Sequence, residues 1–100
     1  MEVTVSRTDD QVVVTIEGEI DVSNRPQLSD ALRTVAEGTE SVVLVDVSGL
    51  RFMDSSGISE LISVYRAVTE RGSSFRIVNP TASFRRLLEI TGLSEPFGLE

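Results

Sequence analysis

Apolar and polar residues alternate at the start of the chain, with Val3 and Val5 set between Glu2, Thr4 and Ser6. This is the period of a half-exposed strand. Thr8-Asp9-Asp10-Gln11 has turn composition, and Val12 to Ile16 reads as strand again. Residues 2–18 are therefore predicted as an antiparallel hairpin, broken at Gly18. The period then lengthens. Leu28, Ala31, Leu32, Val35 and Ala36 recur at i, i+3, i+4, i+7 and i+8, the apolar stripe of a helix over 24–37. Ser23 and Asn24 can start that helix, Pro26 fits its first turn, and Gly38 is placed to end it.

The next apolar run, Val42 to Val45 with Val47 beyond Asp46, suits a strand buried on both faces over 42–47. A polar loop follows, and then Ile58, Leu61, Ile62, Tyr65 and Val68 return to helical spacing. They predict a second helix from about 56 to 71, stopped by Gly72, with Ile62 in mid-stripe. Residues 75–78 read as a further strand. Asn79-Pro80 reads as a helix start with proline at the first helical position. Phe84, Leu87 and Leu88 give the third helix its apolar face, and Gly92-Leu93 suits a left-handed cap. Tyr65 and the four phenylalanines are assigned to the core. The order is β-β-α-β-α-β-α. Right-handed crossovers put the first two helices on one face of a mixed sheet of about four strands, an α/β fold.

Composition narrows the class. One hundred residues make one domain, taken as 1–100. With 40% apolar and 25% charged residues the chain is globular rather than disordered. No apolar run reaches the roughly 18–20 residues of a spanning helix, and no export signal is visible, so the expected compartment is the cytoplasm, without membrane insertion. The net charge of −7 disfavours nucleic-acid binding. All nine basic residues are arginine, and histidine, cysteine and lysine do not occur. That excludes a Ser-His-Asp triad, a phosphate-loop lysine and a zinc site with the usual nitrogen or sulfur ligands. The expectation is a protein that is not an enzyme and carries no cofactor.

Chemistry concentrates between the central strand and the second helix. Asp54, Ser55 and Ser56 are consecutive residues that can each cap a helix, and they fall at the carboxyl edge of a sheet, where α/β proteins usually meet ligands and partners. From the residues alone, Ser55 is either a cap or an exposed hydroxyl open to modification. A phosphate there would face free N–H groups and the positive end of the helix dipole. Ser56 is the competing hydroxyl. Asp54 either orients the loop or is a solvated turn residue. Gly57 either lets a partner approach the backbone or is a plain turn glycine. Ser59, Ser63 and Arg66 form a polar helix face, solvated or partner-binding.

Ser48-Gly49-Leu50 followed by Phe52-Met53-Asp54-Ser55-Ser56-Gly57-Ile58 resembles the signature of STAS domains, and within them the bacterial anti-sigma factor antagonists. Gly18-Glu19-Ile20-Asp21 resembles the family's segment after the second strand. Val78-Asn79-Pro80, Arg86-Leu87-Leu88 and Ile90-Thr91-Gly92-Leu93 resemble its last strand and third helix. The resemblance implies that an anti-sigma factor serine kinase binds the unmodified domain and so releases a sigma factor. Phosphorylation of Ser55 would end that binding, and a serine phosphatase would restore it. It implies contact with kinase or nucleotide at Asp21, and a partner surface of Asp21, Asp54, Ser55, Ser56, Gly57, Ser59, Ser63 and Arg66. The same fold also serves as a regulatory module in transporters, lipid-transport complexes and stress-signalling scaffolds, which do not need a serine at position 55. Family members often add a C-terminal strand and helix; here that element is expected to be short or missing, and Leu99-Glu100 is compatible with a cloning scar.

Overall fold

A computed structural model describes residues 1–99. The hairpin forms as the alternation requires. Strands β1 (Glu2–Arg7) and β2 (Gln11–Ile20) pair antiparallel, with Val3 opposite Ile16 and Val5 opposite Val14. Helix α1 (Arg25–Ala36) follows, then β3 (Val42–Asp46), β4 (Leu50–Met53), helix α2 (Ser55–Glu70), β5 (Ser74–Val78) and helix α3 (Ala82–Ile90). The sheet has five strands in the order β1-β2-β3-β5, with β4 joined to β2. All neighbours except β1 and β2 run parallel. The mixed α/β architecture is as expected. The extra strand is β4, which falls in the stretch expected to be a polar loop.

β2 makes room for β4 by its length. Its first half, Gln11 to Thr15, pairs with β3, and Gly18 to Ile20 pair with β4. Each strand of the central sheet turns one face to the helices. Val12, Val14, Ile16, Val43, Val45, Phe75 and Ile77 point into a core completed by Leu28, Leu32 and Val35 of α1 and Leu61, Val64 and Val68 of α2. The other face, carrying Val13, Val42 and Leu44, is only half covered. The stripe of α2 is rotated slightly from the expected one. Val64 lies at its centre, whereas Ile58, Ile62 and Tyr65 are half-buried at its flanks.

Two helix ends show what their capping residues do. α3 does not start at Pro80. The hydroxyl of Thr81 accepts from the Phe84 amide at 3.2 Å and caps the helix, while Asn79 takes a left-handed conformation that asparagine tolerates, with φ of 56°. At the other end Gly92 is left-handed and the Leu93 amide donates to the Leu88 carbonyl, as expected. The chain then returns to the sheet. The Ile77 amide donates to the Phe97 carbonyl at 2.8 Å, and the Phe97 ring packs on Phe75 and Tyr65 with centroids 5.4 and 5.7 Å away. Leu99 also packs partly against the core. Glu100 lies outside the described residues.

Candidate functional site

Because β2 and β4 are parallel and adjacent, they end together. Ile20 pairs with Met53, and the Asp54 amide donates to the Ile20 carbonyl at 3.1 Å. Asp21 and Asp54 thus emerge side by side at the carboxyl edge of the sheet. Each closes a tight local turn. Asp21 Oδ1 accepts from the Ser23 amide at 2.9 Å and the Ser23 hydroxyl at 2.5 Å. Asn24 ties this turn down, accepting from the Asp21 amide and donating to the Glu19 carbonyl.

Asp54 is the cap of α2. Its Oδ1 accepts from the Ser56 hydroxyl at 2.6 Å, the Ser56 amide at 3.0 Å and the Gly57 amide at 3.4 Å. The Ser56 hydroxyl is therefore engaged and its side chain half-buried. Ser55, the first residue of the 16-residue helix, is exposed, and its hydroxyl has no hydrogen-bond partner among the described residues. The sequence offers three interchangeable capping residues. The backbone divides the work: Asp54 caps, Ser56 supports the cap, and Ser55 is left free.

Both aspartates hold their carboxyls below the ordinary value of 3.8. For Asp54 the main cause is the hydrogen bond from the Ser56 hydroxyl, aided by the Gly57 and Ser56 amides and opposed by desolvation and, less, by the neighbouring negative charge of Asp21. For Asp21 it is the hydrogen bond from the Ser23 hydroxyl, then that from its amide. The edge therefore carries two carboxylates at neutral pH, that of Asp54 at the positive end of α2.

The other expected residues fall into two groups. Ser59, Ser63 and Arg66 follow Ser55 at i+4, i+8 and i+11 and share one exposed face of α2 with it. Glu60, on the flank, forms an ion pair of 3.3 Å with Arg25 and links the two helices. Gly57 requires correction. It is buried, and a Cβ there would stand 2.5 Å from Met53 Cγ and 2.9 Å from Ile20 Cγ2. Its missing side chain lets α2 lie close on β2 and β4; it faces the protein's interior, not a partner.

Two exposed apolar residues flank the site and are not apparent from the sequence. Val22, next to Asp21, is 72% exposed, and Phe52, two residues before Asp54, is 55% exposed. The assignment of every phenylalanine to the core thus fails at Phe52, while Phe75, Phe84 and Phe97 are buried. Among the described residues no three His, Cys, Asp or Glu side chains are grouped to hold a metal ion, and no helix is long and apolar enough to cross a membrane.

The mixed five-stranded sheet with three helices is the fold of a STAS domain. The chain belongs to that family: the profile described as Mlab, STAS domain matches residues 3–99. Several proteins it resembles are named anti-sigma factor antagonists. The anti-sigma-B factor antagonist of Bacillus subtilis strain 168 is 35% identical over 95 residues, which span 93% of this chain and 84% of that protein. The crystal structure of an anti-sigma factor antagonist from Mycobacterium paratuberculosis matches with a TM-score of 0.87 at 28% identity, covering 98% of this chain and 83% of that one. The anti-sigma factor antagonist SpoIIAA, solved unphosphorylated, matches with a TM-score of 0.81 at 22% identity, covering 94% and 84%. Its phosphorylated form, described as a Bacillus cell fate determinant, matches at 0.77 and 23%, covering 96% and 87%. The likeness to SpoIIAA is one of fold.

Proposed function

We propose that this protein is an anti-sigma factor antagonist whose binding is switched at Ser55. Unmodified, it occupies an anti-sigma factor serine kinase in the cytoplasm and frees a sigma factor. The kinase transfers a phosphoryl group to Ser55 Oγ, the complex dissociates, and a serine phosphatase restores the hydroxyl. The observation that carries this reading is the exposed, unengaged hydroxyl of Ser55 at the first position of α2, beside a Ser56 hydroxyl already committed to Asp54. A kinase reaches the first without breaking a hydrogen bond and the second only by breaking its bond to the capping Asp54. The names of the relatives support the same role. The contact surface is the edge formed by Asp21, Asp54 and Ser55, continued along α2 by Ser59, Ser63 and Arg66.

The switch works by charge and bulk. A phosphate adds about −1.5 to −2 charges at pH 7, next to Asp54 and near Asp21, on a chain already at −7. The helix N-terminus stabilises it by only about 0.3–1 kcal/mol at an exposed site, so the domain keeps its fold. The partner must instead accommodate a dianion where it met a hydroxyl, at the cost of repulsion and desolvation. The test is a phosphorylation assay with the purified anti-sigma kinase, with the modified position mapped by mass spectrometry. Wild type and Ser56→Ala should be modified at Ser55, and Ser55→Ala should resist. Stoichiometric modification of Ser55→Ala would move the switch elsewhere, to Ser56 first.

A further inference from the structure

Phe52 is exposed because β4 is bulged. Gly18 of β2 pairs with Leu50, but its next residue, Glu19, pairs with Phe52, which leaves Arg51 as an extra residue. A regular strand would turn Leu50 and Phe52 to the same side. The bulge instead sends Leu50 and Met53 into the core and leaves Arg51 and Phe52 outside. Bulges beside functional edges commonly re-aim a side chain in this way.

What Phe52 is aimed at is a groove of about 320 Å³ between β4 and α3, walled by Leu50, Met53, Phe84 and Leu87. Along α3, Leu87 and Ile90 lie at i and i+3, and Ile90 is 75% exposed, so the apolar surface continues past the groove. Arg51 rims the groove. This arginine has no acidic ion-pair partner among the described residues, although the chain has 16 acidic residues against nine arginines. An apolar cleft rimmed by an unpaired arginine on an otherwise acidic domain is complementary to an apolar segment bearing a carboxylate. The groove is also continuous with the switch, since Asp54 and Ser55 directly follow its wall.

We propose that this groove is a second docking site for the anti-sigma partner. It takes a segment of that protein with an apolar side chain against Phe52 and Leu87 and an acidic residue against Arg51. The proposal rests on the function proposed above and extends it from the Ser55 edge to α3.

The test is calorimetric titration of the purified anti-sigma factor into wild type, Phe52→Ala, the charge reversal Arg51→Glu, and Ser55→Asp, each checked for an unchanged denaturation midpoint. Phe52→Ala should weaken binding about tenfold or more, as loss of an aromatic anchor does. The charge reversal should weaken it comparably at low ionic strength and less in high salt. If Phe52→Ala binds like wild type while Ser55→Asp is weakened, the groove is not a docking site and the functional reading stands. If wild type itself does not bind, both fall. If the charge reversal binds as well as wild type or better, the acidic chemistry assigned to the partner is wrong. If wild type self-associates in sedimentation, and Phe52→Ala abolishes that without touching partner affinity, the occupant is a second copy of this chain and the proposal is overturned.

Discussion

Ser55 and Ser56 are adjacent and chemically identical, yet they occupy different positions because α2 starts at Ser55 and its cap is Asp54. Removing the Ser55 hydroxyl breaks no bond among the described residues, so Ser55→Ala should shift stability by no more than about 0.5 kcal/mol, read from a urea denaturation midpoint. The Asp54 cap makes a pH prediction. Its carboxyl is depressed below 3.8 in the folded protein, chiefly by the Ser56 hydroxyl. The stability it contributes is therefore present above the unfolded value and lost as pH falls through the folded one. Melting temperatures of wild type and Asp54→Asn measured from pH 6 to pH 2 should converge at the acid end; a gap that stays constant contradicts the capping account. At Gly57 the Met53 and Ile20 side chains leave no room for a methyl group. Gly57→Ala should cost about 1–3 kcal/mol by overpacking, whether or not a partner is present. The sequence marks all these residues as a helix start, but which of them caps depends on where β4 ends.

Among the elements, α1, α2 and the hairpin were legible because each keeps one period over enough residues to define a face. β4 was not. It is four residues long, its bulge destroys the alternation, and its burial runs buried, exposed, exposed, buried. The pairing with β2 that makes it a strand is long-range and leaves no local signal. The start of α3 was misplaced for a related reason. Asn79-Pro80 has starting chemistry, but Asn79 is drawn to Asp46, to which its amide donates at 3.3 Å, and Thr81 caps instead. At the end of α2, Arg71 shows how loops join elements. Its guanidinium donates to the Val35 and Ala36 carbonyls at the end of α1, to the Glu40 carbonyl and to the Ser73 hydroxyl, all at 3.0–3.1 Å. Arg71→Met keeps the stem and removes these bonds, and should lower stability by roughly 1.5–3 kcal/mol. On the buried side of α2, Leu61→Ala should cost roughly 2–5 kcal/mol. The half-buried Ile62, expected in mid-stripe, should cost less on the same substitution; the reverse order in denaturation would contradict the observed rotation of the helix.

For the whole molecule, the parallel edge where β2 and β4 end brings the Asp21 turn and the Asp54-capped helix together, from positions 33 residues apart in the chain. The switch proposed at Ser55 needs no rearrangement of that scaffold, because Ser55 is outside the core and outside the cap. Its consequence is confined to the surface a partner meets. The most direct test of this account is the affinity of the anti-sigma kinase for the unmodified protein and for protein stoichiometrically phosphorylated on Ser55, titrated side by side. The account predicts a loss on the order of a thousandfold, equivalent to about 4 kcal/mol, with the denaturation midpoint of the domain nearly unchanged. Equal affinities for the two forms would contradict it, and so would a loss that appears only because the phosphorylated domain has unfolded.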